Sequence, residues 1–138
     1  MFIDTSAFMA MLLNEPDMAR VVAALEKAEL RVTSGLVRLE TVMNTATKLN
    51  VSVEDAETYF DRLIADADIT IVPITDDISK IAVAAFSRYG KGRGHKAQLN
   101  LADCMSYGVA AAMDCPILFV GKDFSRTDLI SALGEAAR

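Results

Sequence analysis

The chain has 138 residues, of which 52% are hydrophobic and 24% charged, with a formal net charge of −5 at pH 7. That length predicts one domain, residues 1–138, able to bury a core without disulfides. The negative balance argues against a protein that coats nucleic acid by bulk electrostatics, and no apolar run approaches the ~20 residues that cross a bilayer. The opening Met1-Phe-Ile-Asp4 has no basic n-region, which predicts a cytoplasmic protein. Cys104 and Cys115 form no C-x-x-C pair and read as two small buried residues, not a disulfide or a zinc site.

Met1 to Asp4 reads as a short strand and Thr5 to Leu13 as a helix, punctuated by Asn14-Glu15-Pro16-Asp17. Asp17 to Ala28 is a second helix, with Met18, Val21, Val22 and Leu25 at helical spacing. Leu30 to Thr33 is a strand, and Ser34 caps a helix running to Leu49. Ser52 and Asp55 stand at capping-box spacing and open a helix to Asp66. Ile69 to Pro73 is a strand, followed by a helix from Thr75 or Asp76 to Tyr89. Gly90 to Gln98 is a glycine-rich basic loop. Asn100 begins a helix to Met113, Pro116 to Val120 is a strand, and Leu129 to Ala137 is read as a last short helix. Strand-like runs alternating with helical segments predict α/β architecture with a mostly parallel sheet.

Four acidic residues stand out within this pattern. Asp4 follows the first strand and Asp123 follows the last by a Gly-Lys turn, and in open parallel sheets ligands sit outside the carboxyl ends of the strands. Both also suit turn or N-cap positions. Glu40 lies at the edge of a stripe formed by Leu36, Leu39, Met43 and Ala46, which the spacing predicts to be buried. A carboxylate drawn inward needs a partner, either a cation or a side chain such as Arg38 or Lys48. Asp103 stands three residues after Asn100, so it fits the first turn of a capped helix and equally a cleft at the sheet's edge. Taken together, four such carboxylates meeting in one pocket would repel one another unless cations were bound. All-oxygen donors suit Mg²⁺ or Mn²⁺, not zinc, and the matching reaction is hydrolysis of a phosphodiester.

The chain resembles the PIN-domain ribonuclease toxins of bacterial toxin–antitoxin pairs, the VapC type. The matching residues run nearly end to end: Met1-Phe-Ile-Asp4-Thr5-Ser6-Ala7, Arg38-Leu-Glu40-Thr41, Tyr89-Gly-Lys-Gly-Arg93, Leu99-Asn-Leu-Ala-Asp103-Cys104 with Tyr107-Gly108, and Leu118-Phe-Val-Gly-Lys-Asp123-Phe124 followed by Thr127-Asp128. The resemblance implies a three-layer α/β/α fold and an endoribonuclease dependent on Mg²⁺ or Mn²⁺. It implies Asp4, Glu40, Asp103 and Asp123 as the metal-site carboxylates, with Ser6 supporting the first. Asp128 is then either a fifth acidic contributor or a cap for the last helix, and the cap is the reading adopted. The resemblance further implies a cognate antitoxin that blocks the site, a homodimer, and an RNA substrate, for which transfer RNA is a common target in the family.

The basic loop fits this picture. Lys91, Arg93 and Lys96 would guide RNA phosphates past a negative cluster that repels them; a solvated mobile loop with incidental charge is the other reading. His95 is not needed as a general base beside a metal. Tyr59, Phe60, Phe86 and Tyr89 read as core or dimer surface. Other phosphate-handling folds fit less well. A haloacid-dehalogenase-like phosphatase wants D-x-D, whereas Asp4 is followed by Thr5-Ser6, and a response-regulator receiver lacks its middle Asp. Among non-catalytic readings, a D-x-S-x-S adhesion site fails at Phe8, which leaves a degenerate domain acting through a protein partner as the alternative.

Overall fold

The computed structural model describes residues 1–134. β1 (Phe2–Ile3) leads through α1 (Thr5–Leu12) and α2 (Met18–Lys27) to β2 (Val32–Ser34). α3 (Gly35–Leu49) and α4 (Val53–Asp66) lead to β3 (Thr70–Val72), and α5 (Asp76–Tyr89) and α6 (Leu101–Ala112) lead to β4 (Ile117–Leu118). Most helix starts fall where a side chain accepts a backbone N–H that the first turn leaves unbonded. Asp4 accepts from Ser6, Ser34 from Val37, Ser52 from Asp55 and Thr75 from Ile78. Asn100 and Asp103 cap α6 reciprocally, whereas Asp17 makes no such bond ahead of α2.

The strands pair in parallel in the order β3-β2-β1-β4. Steps from β1 to β2 to β3 run one way and the step to β4 returns across the sheet. Right-handed crossovers therefore place α1 to α4 on one face and α5 and α6 on the other, an α/β/α arrangement. Phe2, Ile3, Ile117 and Leu118 are fully buried, as expected for parallel strands covered on both faces. Phe8 and Phe60 carry the core between α1 and α4, with ring centroids 4.8 Å apart. Gly108 lets α6 lie close along α5, because a Cβ there would stand 2.9 Å from the Ile78 carbonyl oxygen. Among the described residues no helix is long and apolar enough to cross a membrane.

Two expectations are corrected. The buried face of α3 is Val37, Thr41, Val42 and Thr45, while Leu39 and Met43 are 55% and 59% exposed. The inward positions are partly threonines, which apolar periodicity does not count; the Thr45 hydroxyl meets the Met9 sulfur at 3.6 Å. Secondly, residues 129–133 are not helical. Ser131 bridges to Ile117 beside β4 and turns follow. The rest of that expected helix lies outside the described residues.

Candidate active site

Chain order reverses between β1 and β4, with β2 on the other side of β1, and a crevice at such a switch point is where open parallel sheets place ligands. A cavity of about 280 Å³ opens there. Asp4, Thr5 and Ser6 reach it from the end of β1, Glu40, Asn44 and Lys48 from α3, Asn100 and Asp103 from the start of α6, and Asp123 from the turn after β4, with Glu15 at its margin. The four acidic stations thus border one cavity, although their positions in the chain span 120 residues.

Each carboxylate is aimed by a neighbour. Asp4 is 6% exposed; its Oδ2 accepts from the Ser6 hydroxyl at 2.7 Å and the Ser6 backbone N–H at 3.1 Å. The same hydroxyl accepts from Val120 N at 2.9 Å, tying the ends of β1 and β4 together. Burial pushes the Asp4 carboxyl above the usual carboxylate range, with Glu40 adding to the rise and the Ser6 bonds opposing it. Glu40 accepts from the Thr5 hydroxyl through Oε1. Asp103 accepts from Asn100 N at 3.1 Å through Oδ2, while its own N–H donates to Asn100 Oδ1 at 2.8 Å. Burial, followed by the charges of Asp123, Asp4 and Glu40, pushes Asp103 up to about 7 against the Asn100 bond. The two readings of Asp103, cap and cleft residue, are therefore compatible: one oxygen closes the helix start while the residue borders the cavity.

Lys48 lines the same cavity, but among the described residues no basic side chain pairs with any of the four carboxylates. Arg38 turns away from Glu40 and pairs with Glu57 at 3.2 Å and Asp61 at 2.6 Å. The donor set suits a hard divalent cation: it is all oxygen, and Glu40 and Asp103 each keep one oxygen without a hydrogen-bond donor among the described residues. The carboxylates border the cavity without meeting at a point, since among the described residues no three acidic, histidine or cysteine side chains form a ready-made chelate.

Thr5 and Ser106 were not singled out from the sequence, and Lys48 was named there only as a possible partner for Glu40. Ser106 is buried and works against the rise of the Asp4 carboxyl; it lies three residues after Asp103 on one helix face. Lys48 stands two turns beyond Glu40 on α3 and lines the cavity without forming an ion pair with it. Asp128 plays neither role expected of it. It does not line the cavity, and residues 129–133, which follow it, form no helix for it to cap. Its Oδ1 instead accepts from the Tyr107 hydroxyl at 2.6 Å.

Lys91, Arg93 and Lys96 are exposed on the glycine-rich loop. A Gly90–Leu99 bridge closes its base, and the Arg93 guanidinium lies 5.7 Å from the Phe86 ring centre. His95 is occupied locally: its Nδ1 accepts from Ala97 N at 3.0 Å and its ring meets Tyr89 edge-on. Lys91 and Asn100 share the wall of an adjoining cavity, so the loop abuts the acidic pocket through Asn100.

Comparison with known proteins agrees with this geometry. The PIN domain family matches residues 1–130. Ribonuclease VapC30 of Mycobacterium tuberculosis is 40% identical over 129 residues, covering 94% of this chain and 95% of that protein. Ribonuclease VapC28 of the same organism is 35% identical over 133 residues, covering 96% and 98%. Among solved structures, M. tuberculosis VapC20, described as a sarcin–ricin loop cleaving toxin, superposes with a TM-score of 0.74 at 16% identity, covering 94% of this chain and 95% of that one. A toxin–antitoxin complex from Klebsiella pneumoniae does so with a TM-score of 0.65 at 19% identity, covering 92% of each chain. The two structures speak for the fold, and the two relatives of higher identity speak for kinship. The chain belongs to the PIN-domain family, among the VapC ribonuclease toxins of toxin–antitoxin systems.

Proposed function

We propose that residues 1–138 act as one PIN domain that cleaves RNA internally in the cytoplasm with the aid of Mg²⁺ or Mn²⁺, held by Asp4, Glu40, Asp103 and Asp123. The observation that carries this reading is the convergence of four carboxylates from four segments on one cavity, with no cationic side chain paired to any of them. Like charges so placed raise one another's pKa, and a bound cation relieves them. Mg²⁺ keeps several waters and takes only one or two carboxylates directly, which suits acidic groups that border a cavity without touching. Such an ion supplies Lewis acidity, lowering the pKa of the attacking water and offsetting charge that develops on the phosphate.

The remaining work falls to the chain. Ser6, Thr5 and Asn100 hold Asp4, Glu40 and Asp103 in their orientations. Lys91, Arg93 and Lys96 meet the phosphates on one side of the cut and Lys48 those on the other, offsetting the repulsion between the acidic cavity and the RNA backbone. A cognate antitoxin is the partner, placing an Arg among the carboxylates, where a charge-assisted bidentate contact is strongest. The unneutralised cavity supports this, as does the likeness to a chain of a toxin–antitoxin complex. A homodimer completes the reading. Val83, Phe86 and Leu101 are exposed around an apolar cavity of about 470 Å³ between α5 and α6, a surface that a second copy would cover.

The test is cleavage of single-stranded RNA by the purified chain with added Mg²⁺ or Mn²⁺. Asp4→Asn and Asp103→Asn are expected to abolish cleavage while the circular dichroism spectrum is kept. Full cleavage by either variant overturns the assignment, and turnover of an aryl phosphate monoester in place of RNA would favour a phosphatase.

A further inference from the structure

Asp123 differs from the other three carboxylates of the cavity. It is exposed, and no side-chain hydrogen bond holds it among the described residues. It rides on residues 119–128, which contain neither helix nor strand. Gly121 sets the turn with φ +103°, and Phe124 is buried with its ring centre 5.4 Å from that of Phe119. Downstream, the Thr127 hydroxyl donates to the Phe124 carbonyl at 2.7 Å.

The loop ends on Asp128, which is held three times. Its Oδ1 accepts from the Tyr107 hydroxyl at 2.6 Å, its Oδ2 lies 3.6 Å from Arg88 Nη1, and its backbone N–H donates to the Tyr89 hydroxyl at 3.2 Å. Tyr107 stands four residues after Asp103 on α6, one turn further along the same side of the helix. A single rigid helix therefore holds Asp103 at the cavity and, one turn later, grips the far end of the loop that carries Asp123.

We infer that Tyr107 and Asp128 form a clasp that sets Asp123 in register with Asp103, which makes Asp128 a positioning residue for the cavity. This rests on the reading of the cavity as a divalent-ion site. The Tyr107 hydroxyl is the active part of the clasp, because it spans from helix to loop, whereas Arg88 is 63% exposed in its side chain and its contact is long. Losing such an outer support typically costs ~10–100-fold in metal affinity or activity.

Tyr107→Phe removes the hydroxyl and keeps the ring beside Tyr89, 5.7 Å away. It is expected to weaken Mn²⁺ binding by ~10-fold in calorimetry. The Mg²⁺ concentration for half-maximal kcat should rise in step, with KM for RNA unchanged. Asp128→Asn keeps an acceptor for Tyr107 and should retain most of the affinity, while Asp128→Ala should match Tyr107→Phe. The double variant Tyr107→Phe/Asp128→Ala should be no worse than either single one, as expected for two halves of one contact. Wild-type Mn²⁺ affinity in both Tyr107→Phe and Asp128→Ala, alongside loss in Asp123→Asn, overturns the clasp and leaves the ion site standing. Wild-type affinity in Asp4→Asn and Asp123→Asn overturns the ion site, and the clasp with it.

Discussion

The acidic cavity and the corner around Asp128 hold the same chemical group under opposite conditions. Asp128 meets a phenol hydroxyl and a guanidinium within its own chain. Asp4 and Asp103 meet only neutral donors, and burial raises both, with the charge of Glu40 adding to each rise. The first carboxylate is satisfied when the chain folds. The second pair is left with charge that no ion pair among the described residues offsets, so part of the folding free energy is held back for a bound cation to return. A carboxylate's type says little about its role; the sign of its neighbours says more.

Several changes would break or sharpen that contrast. Thr5→Val deletes the donor to Glu40 while keeping the side chain's volume, and should weaken Mn²⁺ affinity ~10–100-fold with the melting temperature nearly unchanged. Equal affinity would mean that Glu40 needs no aiming. The pH dependence of stability comes next. An unfolded aspartate titrates at about 3.9 and folded Asp103 at about 7, so the folded state binds the extra proton between these values. Stability from this source is complete below about pH 4 and is lost as pH rises through about 7. The ion-free protein should therefore melt a few °C lower at pH 8 than at pH 5, with added Mg²⁺ or Asp103→Asn flattening the profile; a rise toward pH 8 would contradict the unneutralised cavity. The smallest effect is expected from Arg38→Ala, which breaks exposed pairs with Glu57 and Asp61. It should cost about 1 kcal/mol or less in urea unfolding and leave RNA cleavage intact, marking these acids as satisfied like Asp128.

Much of the fold could be read from local chemistry. Ser34, Ser52, Thr75 and Asn100 announce their helices because a cap is a contact between near neighbours. The acidic stations were visible too, since β1 and β4 deliver Asp4 and Asp123 to the sheet's carboxyl edge. What stayed hidden were contacts between distant segments. Thr5 reaches Glu40 across 35 residues and Ser6 reaches Val120 across 114, and no period or motif encodes such pairs. The face of α3 was misjudged for a related reason: α1 and α4 decide which side is inside, and they select threonines over Leu39 and Met43. Asp128 looked like a cap because Asp favours helix starts, and the chain instead turns there to pair Ser131 with Ile117.

The bridge between Gly90 and Leu99 has a practical meaning for redesign. Lys91 N donates to the Leu99 carbonyl at 2.8 Å and Leu99 N to the Tyr89 carbonyl at 2.9 Å, so the two ends of the basic segment are stapled before α6 begins. The charges of the exposed Arg93 and Lys96 between them can therefore be rewritten without rotating Asp103, whereas inserting one residue between Asn100 and Asp103 would swing that carboxylate by roughly 100° about the helix axis and leave the cavity one acid short.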